Sequence, residues 1–189
     1  MKAGSDRFQR ACWFELDHET EFNSGHQDDY SDESFVRTEN VPGDPGGVTR
    51  YGIDASGNPG VDVPNLTFDG AVQIYLDKYW TINGHSMDET PLGWGEVLFD
   101  IHVNGGNGVQ MAQRAAAMCG VAVNIDGVLG PETISVMDQA GDQGLSNLLH
   151  LRQDRYDVLA QENPGQFGQF LAGWTQRNDD LAEQVGVAV

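Results

Sequence analysis

Three side chains, Glu19, Asp44 and Thr49, are of the types that cut a glycosidic bond. Such cleavage takes one protonated carboxyl, which donates to the leaving oxygen, and a second carboxyl that activates water or attacks carbon. Asp44 opens the run Asp44-Pro45-Gly46-Gly47-Val48-Thr49-Arg50-Tyr51-Gly52-Ile53, which sets a carboxylate and a hydroxyl five residues apart. Pro45 fixes one backbone angle while the glycines permit turns that side chains forbid, so a tight loop or hairpin is expected to hold Asp44 and Thr49 in place. Glu19 lies upstream, on a segment with helical patterning.

Phe8, Ala11, Cys12, Leu16 and Glu19 recur at helical spacing, predicting a first helix over about residues 6–22 with Glu19 on or beside its buried face. A carboxyl against apolar neighbours is harder to ionise, so its pKa rises toward values suited to proton donation. Glu21 shares the face of Phe14 and Asp17 and reads as exposed; Glu15 sits one turn earlier. Residues 26–40 are polar and acid-rich and read as a solvated loop, since Asp28, Asp29, Asp32 and Glu33 lack the ligand spacing and glycine of a calcium loop. Residues 53–64 read as loop. Phe68, Ala71, Val72, Tyr75 and Tyr79 then mark an amphipathic helix capped by Thr67.

Farther along, Asp100 and Asn104 lie one helical turn apart before Gly105 and Gly106, a pair fit either to line a cleft or to cap a helix end. A helix over residues 109–119 precedes Asp126-Gly127-Val128-Leu129-Gly130-Pro131-Glu132-Thr133, where Pro131 suits a helix's first turn. Two closing helices are predicted, one carrying Leu145, Leu148, Leu149, Arg152, Tyr156 and Leu159, the other Phe167, Phe170, Leu171 and Trp174. Asn163-Pro164-Gly165 separates them.

Among 189 residues, 29 acids face 10 bases, for a formal net charge of −19. That balance argues against a nucleic-acid partner. It solubilises the surface, or suits a saline setting in which screening contracts from about 8 Å at physiological salt to about 3 Å at 1 M. Residues 1–10 are charged without an apolar run of signal-peptide length, and no stretch is long and apolar enough for a bilayer, so a monomer made in the cytoplasm, without membrane insertion, is expected. Cys12 and Cys119 lack paired metal spacing; buried free thiols are expected, with a disulfide as the alternative. Acid–base hydrolysis needs no cofactor, and no His or Cys cluster suggests zinc.

These stretches together resemble family 108 glycoside hydrolases, phage and bacterial N-acetylmuramidases that cut peptidoglycan. The family pattern runs from a helical Glu, two glycines and an aromatic to Asp-Pro-Gly-Gly-x-Thr-x-Tyr-Gly-Ile. Residues 44–53 keep the second half completely, whereas Thr20 and Glu21 replace the glycines after Glu19 and the connection to Asp44 is longer than usual. Tyr79-Trp80, Phe99-Asp100 with Asn104-Gly105, the 126–133 segment, Arg155-Tyr156 and residues 170–177 are similar to later family segments in the same order. The resemblance implies a mainly α, lysozyme-like helical fold with a small glycine-rich turn or β-hairpin beside the site. It also implies a catalytic lobe over residues 1–105 and a helical peptidoglycan-binding-like lobe over 106–189. By the order seen in phage-type lysozymes, Glu19 would be the acid, with Asp44 and Thr49 positioning water; Tyr51, Trp80, Asp100 and Asn104 are the expected sugar contacts. The implied role is a phage endolysin acting on bacterial peptidoglycan after a separate permeabilising protein releases it to the wall, or a virion-associated counterpart. A lytic transglycosylase and a noncatalytic wall-binding or virion-structural protein are the competing readings.

Overall fold

The computed structural model describes residues 3–19, 39–40 and 47–189. They form a mainly helical fold with small antiparallel sheets, consistent with a lysozyme-like architecture. Two compact units divide the chain, Met1–Lys78 and Tyr79–Val189.

In the first unit, helix α1 spans Asp6–Glu19. Ser5 starts it, its Oγ accepting from Phe8 N at 3.1 Å. Phe8, Ala11, Cys12, Glu15 and Leu16 are buried, a three-and-four spacing that makes one apolar stripe interrupted by a single carboxyl. Strands β1 (Glu39–Asn40), β2 (Val48–Arg50) and β3 (Ile53–Asp54) form an antiparallel sheet in that order. Helix α2 (Phe68–Ile74) starts at Thr67, whose hydroxyl accepts from Gly70 N, and runs into a wider π turn over Tyr75–Tyr79. Phe68 joins these pieces: its ring lies 5.7 Å from Trp13 of α1 and 6.0 Å from Tyr51 of the hairpin.

The second unit opens with the hairpin β4 (Thr81–Ile82) and β5 (His85–Ser86), turned by Asn83 and Gly84, both at positive φ. Helix α3 (Trp94–Val103) is apolar nearly all round and buried from Trp94 to Ile101, which makes it the centre of this unit. Gly93 precedes it at φ 87°, where a Cβ would stand 2.5 Å from Leu145 Cδ2, so only glycine fits. Helix α4 (Gly108–Met118) and helix α7 (Leu171–Val185) both pack on the long α5 (Pro131–Glu162). Pro131 occupies the expected first turn of α5, and Gly141 breaks its regularity at φ 55°, ψ −149°. The second closing helix differs from expectation: Phe167 ends a four-residue turn, α6 (Pro164–Phe167), and Phe170 ends a 3-10 turn, so α7 starts only at Leu171. Pro164 and the glycines at 165 and 168 break the periodicity that the aromatic spacing suggested. Cys12 and Cys119 are both free thiols. Among the described residues no helix is long and apolar enough to cross a membrane, and no group of three or more His, Cys, Asp or Glu side chains clusters to hold a metal.

Candidate active site

Two strands present Thr49. Its register pairs it with Glu39 on one side and Asp54 on the other, and the residue is half-buried at the middle of β2. The β2–β3 turn is made by Tyr51 and Gly52 at φ 53° and 73°, the backbone of a two-residue primed hairpin. Tyrosine is poorly suited to that region, because its Cβ crowds the following carbonyl. Burial compensates: Tyr51 is 2% exposed, packs edge-on against Phe68, and its carbonyl accepts from Tyr75 Oη at 2.9 Å. Arg50 adds a second tie, donating from Nε to Leu66 O at 2.9 Å while its guanidinium lies 5.2 Å from the Tyr51 ring centroid. Thr49 therefore stands on a strand fastened at the turn beside it.

The carboxyls around this hairpin differ in role. Asp54 accepts from Gly57 N and Ser56 Oγ, both at 2.7 Å, and these bonds hold its pKa below the usual carboxylate range. It stays ionised and shapes the 54–57 turn, so it is no proton donor near neutral pH. Glu15 is fully buried in α1, next to Cys12, whose thiol pKa is pushed far up, first by burial and then by the Glu15 charge. Glu19 closes α1 one turn farther along the stripe of Leu16 and Glu15. Its side chain lies outside the described residues, as do Asp44, the acidic loop positions Asp28, Asp29, Asp32 and Glu33, and Glu21.

In the second unit the expected sugar contacts take other partners. Trp80 is 1% exposed, donates from Nε1 to Asp88 Oδ2 at 3.0 Å and meets Phe99 edge-on at 5.3 Å. Asp100 is likewise 1% exposed, and its carboxylate takes Arg152 Nη2 on one oxygen and Arg177 on the other, Nε at 2.9 Å and Nη2 at 2.8 Å. Burial pushes the Asp100 pKa up, but the charges and hydrogen bonds of Arg152 and Arg177 outweigh it and hold the carboxyl low. Asn104 caps α3, donating from Nδ2 to Asp100 O at 2.8 Å. It is exposed, whereas Tyr51, Trp80 and Asp100 have their surfaces inside the fold.

Sequence reasoning missed Arg152 as a partner of Asp100. The signal was present: Arg152 falls in the apolar stripe of Leu145, Leu148 and Leu149, and a guanidinium on a buried face demands a buried carboxylate. The 126–133 segment is also tied internally. Gln113 donates to Asp126 Oδ1 (2.8 Å) and Thr133 Oγ1 (3.0 Å) and accepts from Gly127 N (2.9 Å), which fixes the entry to α5.

Residues 36–106 match the family model described as Glycosyl hydrolase 108, and residues 107–179 match the model described as Predicted Peptidoglycan domain. The two matches follow one another along the chain, in that order. Asp44, Thr49, Tyr51, Trp80, Asp100 and Asn104 fall in the first segment, and Glu19 precedes it. No curated protein matches the sequence. A solved structure, titled "Structure of Brucella abortus SagA", is similar at 24% identity over 94% of this chain and 92% of that one, with a TM-score of 0.69. That likeness is one of fold. The two family segments support a glycoside hydrolase with peptidoglycan as its partner, a peptidoglycan hydrolase.

Proposed function

We propose that the protein is a muramidase, cleaving the β-1,4 bond between N-acetylmuramic acid and N-acetylglucosamine. Glu19 donates the proton to the glycosidic oxygen, Asp44 draws a proton from water, and the Thr49 hydroxyl aligns that water. The observation that carries this reading is Thr49 on a clamped hairpin within a glycosyl hydrolase 108 segment, five residues after the aspartate that opens the glycine-rich run. An acid at Glu19 is supported by the stripe it extends, in which the carboxyl one turn earlier is fully buried. The proposed division places catalysis in residues 1–105 and wall attachment in 106–189. In this reading a phage endolysin is made in the host cytoplasm and acts at the wall once a separate protein permeabilises the membrane; attachment to a virion is the variant form.

Thr20 and Glu21 in place of two glycines favour one other reading, a noncatalytic wall-binding protein. Clearing of purified walls, with reducing ends released, separates the two. Wild type is expected to clear walls and Glu19→Gln to bind them without clearing. Binding without reducing ends by wild type itself overturns the muramidase. Products lighter by one water identify a lytic transglycosylase instead.

A further inference from the structure

A cavity of 170 Å³ opens in the second unit where the end of α3 meets α5 and α7. Ile101 and Asn104 line it from α3, Arg152, Arg155 and Tyr156 from α5, and Trp174 from α7. Its chemistry is mixed in an ordered way. Tyr156 and Trp174, both half-buried, stack with centroids 5.0 Å apart and planes at 27°, giving an apolar wall. Arg152 is 2% exposed, and its Nη1 has no hydrogen-bond partner, although Nη2 reaches Asp100 and Nε donates to Tyr156 Oη at 2.7 Å. Arg155 is exposed and makes no ion pair among the described residues.

Charge makes this place unusual. The chain has only ten basic residues against 29 acids, yet two of them, Arg152 and Arg155, line this one cavity, and Arg152 shares the buried carboxylate of Asp100 with a third, Arg177. The surplus positive charge suits an anionic ligand, and a guanidinium donor left unmade inside a fold is an uncommon cost unless a ligand acceptor meets it. Neutral N-acetylglucosamine offers no anion. Peptidoglycan carries its carboxylates on the peptide stem and, where the stem has been removed, on the lactyl group of muramic acid.

We propose that this cavity binds the peptide stem of peptidoglycan, a stem carboxylate meeting Arg155 and Arg152 while an apolar stem side chain rests on Trp174 and Tyr156. The proposal rests on the peptidoglycan reading above and adds which part of the polymer the second unit recognises.

Calorimetric titration of the full chain with free stem tetrapeptide and with peptide-free glycan chains tests it. The tetrapeptide is expected to bind, and Arg155→Gln to weaken it about tenfold, the loss of one charge-assisted contact. Trp174→Leu is expected to weaken it similarly; should that variant fail to fold, the exposed Arg155→Gln still decides. Tetrapeptide affinity unchanged in Arg155→Gln, or peptide-free glycan binding as tightly as the tetrapeptide, overturns the proposal. Wall clearing by the same wild-type preparation keeps the failures apart. Clearing or wall binding without tetrapeptide binding removes only this inference, and a wild type that neither clears nor binds walls removes the reading beneath it.

Discussion

Two hairpins in this molecule make the same kind of turn with different residues. In the 81–86 hairpin, Asn83 and Gly84 take positive φ, a pairing that local backbone preference favours, and Asn83 Oδ1 also accepts from Leu129 N at 2.9 Å. In the 48–54 hairpin a tyrosine occupies the first left-handed position and is kept there by a buried ring and the Tyr75 hydrogen bond. The first turn is locally content; the second depends on its surroundings. Strain retained beside a candidate reactive group is the pattern of a site whose geometry is imposed. The acids divide in the same way. Asp100 is neutralised by two arginines and serves the fold, whereas Glu19, at the end of a stripe that already buries Glu15, is the acid assigned to chemistry.

The largest effect expected from this contrast is a loss of activity without loss of fold. Glu19→Gln should cut wall hydrolysis by about a hundred- to ten-thousandfold, the range of a general acid, with the thermal midpoint unchanged. Comparable hydrolysis rates for variant and wild type would move the acid elsewhere.

Asp100→Ala is the converse. Removing the carboxylate that two buried guanidinium groups share should cost about 3–5 kcal/mol, read as a lowered denaturant midpoint. Asp100 also carries a pH signature. Its folded pKa is held below the unfolded value, so its stabilisation is complete above about pH 4 and fades as the pH falls through the folded pKa. Acid-unfolding curves of wild type should therefore steepen below that point relative to Asp100→Asn.

The two turns provide smaller tests. Tyr51→Ala should cost about 3 kcal/mol through the emptied site and lower turnover with it, because the strand bearing Thr49 loses its anchor. Asn83→Ala should cost about 1–2 kcal/mol, from the lost turn preference and the lost acceptor for Leu129 N, and leave turnover unchanged. Equal losses at the two positions, by chemical denaturation, would erase the distinction between them.

Much of the fold was legible because its signals are local. The spacing of Phe8, Ala11, Cys12 and Leu16, the Thr67 cap and Pro131 each act within a turn or two of the chain, and each lies where expected. The site was less legible because its decisive contacts are distant. Asp100 meets Arg152 and Arg177 across 52 and 77 residues, so its sequence neighbours give no warning that it is an interior ion pair. Trp80 is buried against Phe99 and Asp88, neither of them a helical neighbour, so its enclosure was not legible in the sequence either. Asn104 was the reverse case: its one-turn separation from Asp100 already suggested the cap it forms.

The central claim is that water, aligned by Asp44 and Thr49, attacks the sugar as Glu19 releases the leaving group. Proton NMR of the first product released from peptidoglycan tests it directly. The predicted result is a hydrated muramic-acid end with inverted anomeric configuration; a retained anomer or an anhydro end would contradict it.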